Sequence, residues 1–445
     1  MAAIMVAIPA VANAAERVVP IGVSIQSQIG TAVAGDVLVL EPGEHAGPVV
    51  IDKSIELRGK TGAAVVGNGK GSVITIASAG VAVRGISVSG SGPSLETRDS
   101  GIYADRTATD ALIEDNTVTG NLFGIYLYGA KNSIARANRI VGLKSGRSSE
   151  MGNGVTVWNA PGAKVLDNDI SFGRDGIATN ASRMNVFSGN RFSHLRFAIH
   201  YMYTNDSEIS GNISSGNSVG YAIMFSSRLK IMGNVSRGDR DHGLLLNTAN
   251  GSQISGNIVL GEMQPVDRWL SAGIQSGEHG MPASDSDIAS ETENRRLGPE
   301  KCVFIYNANR NRFVDNHFEN CAIGIHFTAG SEGNSMSGNA FINNRNQVKY
   351  VGTRYLDWSH EGRGNYWSDN PGFDLNGDGI ADNPYRPNDL IDQVLWTAPQ
   401  AKLLMTSPAV QVIRWAQAQF PALLPGGVVD SRPLMTPTSV ERSTQ

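Results

Sequence analysis

The chain has 445 residues, with 37 Lys and Arg against 41 Asp and Glu and a formal net charge of −4. That balance leaves no basic face of the kind nucleic acid requires, and no stretch beyond the N-terminus reaches the ~18 apolar residues of a membrane span. The 51 glycines exceed the usual share of about 7%, and the length suits a solenoid, where each repeat contacts only its neighbours, better than one compact domain of roughly 100–200 residues.

Residues 1–14 read as a signal peptide. Met1 to Ala12 is apolar and uncharged, Ala12-Asn13-Ala14 has the small-x-small form of a cleavage site, and the first charges are Glu16 and Arg17. The basic region that normally precedes such a stretch is missing. An exported, soluble protein is expected.

From residue 15 to about 350 the chain is repetitive. A Gly/Asp-Asn-x-hydrophobic unit places Asn at 116, 138, 168, 190, 212, 234, 257, 316 and 339. The steps are 22, 30, 22, 22, 22, 23, 59 and 23 residues, so the rung is about 22 residues, with a short insertion near 150 and a long one at 261–300. A second mark, a small residue followed by an apolar one, precedes each Asn by 12 to 15 residues, from Gly101-Ile102 and Gly124-Ile125 to Ala198-Ile199, Ala222-Ile223 and Gly324-Ile325.

Each rung holds short alternating runs such as Ile125-Tyr126-Leu127-Tyr128, which is strand periodicity. The L-x-x-L-x-L pattern of a leucine-rich repeat is absent. The fold expected is all-β: a right-handed, single-stranded parallel β-helix of the pectate-lyase type, with Asn stacked at one corner. Asn suits a corner because it tolerates a left-handed backbone and its amide can bond the next rung.

Alternation then sorts residues by face. One outward column runs Tyr103, Tyr126, Thr156, Ala178, His200, Met224, Leu245, Phe304 and His326; its neighbour includes Tyr128, Trp158, Asn180, Met202, Asn247 and Tyr306. On this register Met224 stands over His200, with Met202 beside them and His242 near the next rung's start. Imidazole with thioether suits copper, Cu(I) above all, because soft ligands select it. The alternative is a groove filled by Met as flexible apolar packing. Neither column holds a carboxylate, which argues against sugar chemistry while leaving sugar binding open. Met151, Met263, His279 and Met281 lie in the insertions and could add donors. The 261–300 excursion reads as a flap or a surface loop. Cys302 and Cys321 could bridge in an oxidising compartment, although their repeat positions differ.

Residues 351–445 have another texture: a cap, an amphipathic helix and a partner-docking tail. Asp374, Asn376, Asp378 and Asp382 have the D-x-N-x-D-G spacing of a calcium loop. The bidentate Glu is missing, with Tyr385 in its place, so a plain Asx-turn loop competes with calcium. Pro408 to Phe420 reads as a short amphipathic helix bearing Val410, Ile413, Trp415 and Phe420, followed by a Pro-punctuated extended tail.

The ladder, followed by Gly364-Asn365-Tyr366-Trp367-Ser368, Asp374 to Gly379, Pro384-Tyr385-Arg386-Pro387-Asn388-Asp389 and Ser407-Pro408-Ala409-Val410, resembles the NosD family of periplasmic nitrous oxide reductase maturation factors. The likeness covers essentially the whole mature chain, and its specific part is the C-terminal block. It implies a non-enzymatic periplasmic protein that works with an ABC transporter ATPase and membrane subunit, a lipoprotein copper chaperone and nitrous oxide reductase to supply a copper–sulfide centre. It also implies that the C-terminal helix and tail engage the membrane subunit. The competing expectation is an exported polysaccharide-binding or polysaccharide-modifying β-helix.

Overall fold

The computed structural model describes residues 14–262, 298–328, 330–352, 354–389, 391, 392, 394, 407–419 and 426–438. The proposed signal peptide thus lies almost wholly outside the described residues, as does most of the 261–300 insertion. The fold is an all-β, right-handed parallel β-solenoid of about 14 turns. It divides into two compact units, residues 1–144 with 151–169 and residues 145–150 with 170–445.

A rung of the second unit shows the construction. Phe197–Met202 runs six residues, Glu208–Ser210 and Ile213–Ser215 three each, and tight corners separate them. In the short strands only the middle residue points inward, as Ile209 does. Register stacks like on like: Ile177, Ile199, Tyr221, Leu244, Val303, Ile325 and Val348 form one buried inner column. Fully burying each such side chain contributes about 1.5–3 kcal/mol, and no rung can do this without a neighbour to cover it.

The corner Asn residues form the expected ladder, by a slightly different device. In the second unit Asn190 Nδ2 donates to Asn212 Oδ1, Asn212 to Asn234, Asn234 to Asn257, Asn257 to Asn316 and Asn316 to Asn339, at 2.8–2.9 Å. Asn116, Asn138 and Asn168 repeat the pattern in the first unit. The left-handed residue is the one before the Asn, such as Gly211 at φ 62° or Asp115 at φ 56°. The Asn is thereby free to spend its amide on the rungs either side: Asn212 donates to Phe187 O behind it and to Asn234 Oδ1 ahead.

The first unit opens with the strand Glu16–Val19 and then the helix Ile25–Thr31, N-capped by Ser24 and anchored by buried Ile25 and Ile29. The second unit ends in an aromatic stack. Trp367 lies on Phe341 at 4.3 Å, nearly parallel, and Tyr385 lies 5.0 Å beyond. The ladder runs on through Asn365 to Asp430, which comes from the far end of the tail. Its buried carboxylate accepts from Asn365 N at 2.7 Å and Trp367 Nε1 at 2.8 Å.

The long insertion leaves the ladder intact, since the strand Ile258–Leu260 precedes it and Lys301–Tyr306 follows in register with His242–Asn247. Cys302 and Cys321 form a disulfide, with Cα atoms 5.6 Å apart and both residues fully buried. Their different repeat positions proved no obstacle, because the residues stand at the two ends of one rung and the rung closes on itself. The helix Pro408–Gln419 forms as expected, with Val410 buried but Ile413 and Trp415 exposed. Phe420 lies outside the described residues.

Candidate functional site

The chemistry-bearing side chains stand on the outward face of the long-stranded sheet of the second unit. Register aligns Ala178, His200, Ala222, Leu245, Phe304, His326 and Lys349 in one column, and Asn180, Met202, Met224, Asn247 and Tyr306 in the next.

Met224 therefore faces Met202 across the rung, and Ala222 faces His200, which corrects the register read from sequence. The cause is Tyr221. In this rung the residue after the small Gly220 is an inward-pointing Tyr, whose hydroxyl lies 2.8 Å from the carbonyls of both Asn212 and Val235. Ala222-Ile223 imitates the small–apolar mark two residues late. A slip of two keeps the face and changes the column, so Met224 still points outward, against its fellow thioether.

The Met pair sits in an apolar setting. Phe197, Val219, Ala222, Met224, Leu245 and Phe304 form a buried cluster on which Met202 packs. Beside it lies a polar group that the sequence columns did not contain. Asp175, at the outset of its strand, is only 2% exposed. It accepts a bidentate pair from Arg196, Nε at 2.9 Å and Nη2 at 2.7 Å, and lies 3.1 Å from His200 Nδ1. Burial alone would push this carboxyl up, but the His200 hydrogen bond and the Arg196 guanidinium outweigh it and hold the group well below the usual carboxylate range. An ionised carboxylate can only accept, so His200 Nδ1 carries the hydrogen. Nε2 is left as the ring's coordinating atom, the carboxylate-oriented arrangement of a metal-binding imidazole. Arg196 also covers the Phe197 ring at 4.4 Å, and that ring packs edge-on against His200 at 5.0 Å.

The other sequence candidates are placed elsewhere. His242 is in register with Val219 and Lys301, two rungs from His200, and its ring lies 5.5 Å from Phe304. Met151 is buried in the first unit, and Met263, His279 and Met281 lie outside the described residues. Asp374, Asn376, Asp378 and Asp382 do share one loop, but their oxygens serve its backbone. Asp374 accepts from Gly377 N at 2.6 Å and Gly379 N at 2.8 Å, Asn376 from Asp378 N, Asp378 from Ile380 N and Asp382 from Leu375 N. The Asn376–Asp378 and Asp378–Ile380 contacts are Asx turns. Among the described residues no group of three or more His, Cys, Asp or Glu is arranged to hold a metal ion.

The sequence profile described as "Periplasmic copper-binding protein (NosD)" matches residues 142–372. A protein of Stutzerimonas stutzeri named "Probable ABC transporter binding protein NosD" is 39% identical over 396 residues, covering 89% of this chain and 86% of that one. The chain belongs to the NosD family. A second NosD-family relative, from Pseudomonas aeruginosa and named in the same words, is 39% identical over 90% of this chain and 89% of its own. Both relatives are thus named as binding proteins rather than enzymes. Among solved structures, the A-module of the Azotobacter vinelandii mannuronan C-5 epimerase AlgE6 aligns with a TM-score of 0.51 at 12% identity, over 77% of this chain and 92% of that one. That likeness shows the β-helix fold alone. No helix among the described residues is long and apolar enough to cross a membrane.

Proposed function

We propose that this chain is a periplasmic accessory protein that works with an ABC transporter to assemble the copper–sulfide centre of nitrous oxide reductase, receiving or passing copper without a catalytic step of its own. Its partners on this reading are the transporter's ATPase and membrane subunit, a lipoprotein copper chaperone and the reductase. Copper is cargo. The observation that carries the reading is the pairing of Met202 with Met224 across adjacent rungs, about 4.8 Å apart along the sheet, beside a His200 whose Nδ1 is fixed by Asp175. Two thioethers and one imidazole form a soft donor set that favours Cu(I). The apolar cluster around them is a setting that a singly charged ion enters at a smaller desolvation cost than a divalent one. His242 stands outside this donor set.

Titration of the mature protein with Cu(I) against a competing chromogenic chelator tests this. One tightly held equivalent is expected, weakened at least tenfold by the double change His200→Ala, Met202→Ala, which removes two of three donors. Unaltered stoichiometry and affinity in that variant would remove the site.

A further inference from the structure

Farther along the same outward face stands a second polar group, of opposite character. His326 lies between Phe304 and Lys349 in one column, one rung from each, and Lys301 opens the strand that carries Phe304. Three nitrogen-bearing side chains thus fall within two rung spacings, roughly 10 Å, well within the reach of two lysines. Phe304 lies against both: the Lys301 Nζ is 5.1 Å from its ring centroid, and the His326 ring is 5.0 Å from it. We propose that Lys301, His326 and Lys349 bind a small divalent oxyanion of the sulfate or thiosulfate class.

Several observations converge on an anion. Lys349 is only partly exposed and makes no ion pair or hydrogen bond with its side chain among the described residues. Lys301 is 13% exposed and has Glu300 at 3.5 Å as its one carboxylate partner among the described residues. Among the described residues, two ammonium groups therefore share a single counter-charge. Among the described residues His326 Nδ1 is buried without a hydrogen-bond partner, and leaving a buried polar group unsatisfied costs about 1–3 kcal/mol. Burial first, then the neighbouring charge of Lys301, holds the Lys349 ammonium below its usual range. Burial, with Lys301 and Lys349, pushes His326 down to about 3, so the ring is neutral and offers an N–H.

A metal cation is the wrong occupant, because two ammonium groups would repel it. A divalent oxyanion answers each need together: two negative charges meet two ammoniums, and several oxygens can take the imidazole N–H as well. The residues are distinct from His200, Met202 and Met224, so this site stands or falls independently of the copper reading.

Calorimetric titration of the mature protein with sodium sulfate and sodium thiosulfate, in chloride buffer of constant ionic strength, tests the proposal. One saturable site is expected. Lys349→Gln and Lys301→Gln should each lower the affinity about tenfold or more, as loss of a charge-assisted bond does. Thermal denaturation supplies a second readout: the anion that binds should raise the midpoint of the parent protein and leave that of the Lys301→Gln, Lys349→Gln double variant unmoved. Absence of saturable binding by either anion would overturn the site, as would unchanged affinity in the double variant.

Discussion

The outward faces of the two units differ although their rungs are built alike. In the first, the positions after the inner Ile102, Ile125 and Leu127 are Tyr103, Tyr126 and Tyr128, whose rings lie 5.7–6.4 Å apart. Arg98 and Arg106 lie over the Tyr128 ring at 4.8 and 4.9 Å, and Arg106 donates to its hydroxyl. In the second, the corresponding positions carry His200, Met202 and Met224, served by a buried Asp–Arg pair. Inside, both units are the same: apolar columns and Asn ladders. The inward half of each strand is dictated by stacking. The outward half is free of that demand, and there the two units diverge into an aromatic surface and a soft-donor surface.

Interior changes should accordingly be costly and alike in both units. Asn212 donates to Phe187 O and Asn234 Oδ1 and accepts from Asn190 N and Nδ2. Asn212→Ala should destabilise by about 3–5 kcal/mol, since it strands several buried partners. Asn138→Ala, which breaks the same contacts in the first unit, should cost as much by chemical denaturation. A large disparity would break the claim of a common interior.

A smaller effect, of opposite sign, is expected at Asp239, which accepts from Ser214, Ser236 and Asn217 N within the second unit. Burial pushes its carboxyl from the ordinary 3.8 up to about 6. The folded state thus holds the proton more tightly than the unfolded chain. Its contribution to stability is full below about pH 4 and is lost as pH rises through about 6. Asp239→Asn should therefore stabilise the protein at about pH 8 by roughly 2–3 kcal/mol, at 1.36 kcal/mol per pKa unit, with little gain below pH 4. Denaturation curves at both pH values check the sign; a gain confined to acid would refute it.

The least effect is expected on the aromatic surface. Tyr128→Leu removes ring contacts with two partly solvated arginines, each about 0.5–1 kcal/mol at such sites. It should lower stability by about 1 kcal/mol and leave Cu(I) affinity unchanged. A loss of copper binding would erase the functional contrast between the faces.

Much of this was legible in the sequence, because a solenoid repeats its constraints. The Asn spacing gave the rung, and alternation gave the faces. Three features escaped for local reasons. Tyr221, an inward residue where other rungs have an aliphatic one, displaced the apparent register and hid the Met202–Met224 pair. Asp175 sits two residues before the inner Ile177, ahead of the alternating run from which the columns were read. Asp430 completes a ladder whose previous member is 65 residues earlier, and only the returning tail brings them together. The corner backbone was misassigned by one residue, since the sequence shows Gly or Asp beside Asn without saying which bears the left-handed turn.

The proposed copper site consists of two thioethers acting with one imidazole. X-ray absorption at the copper edge of the Cu(I)-loaded mature protein reads the donor atoms directly. Two sulfur scatterers and one nitrogen are expected, with one sulfur lost in Met202→Leu and one in Met224→Leu. A shell of nitrogen and oxygen alone, or a spectrum that neither substitution alters, would contradict it.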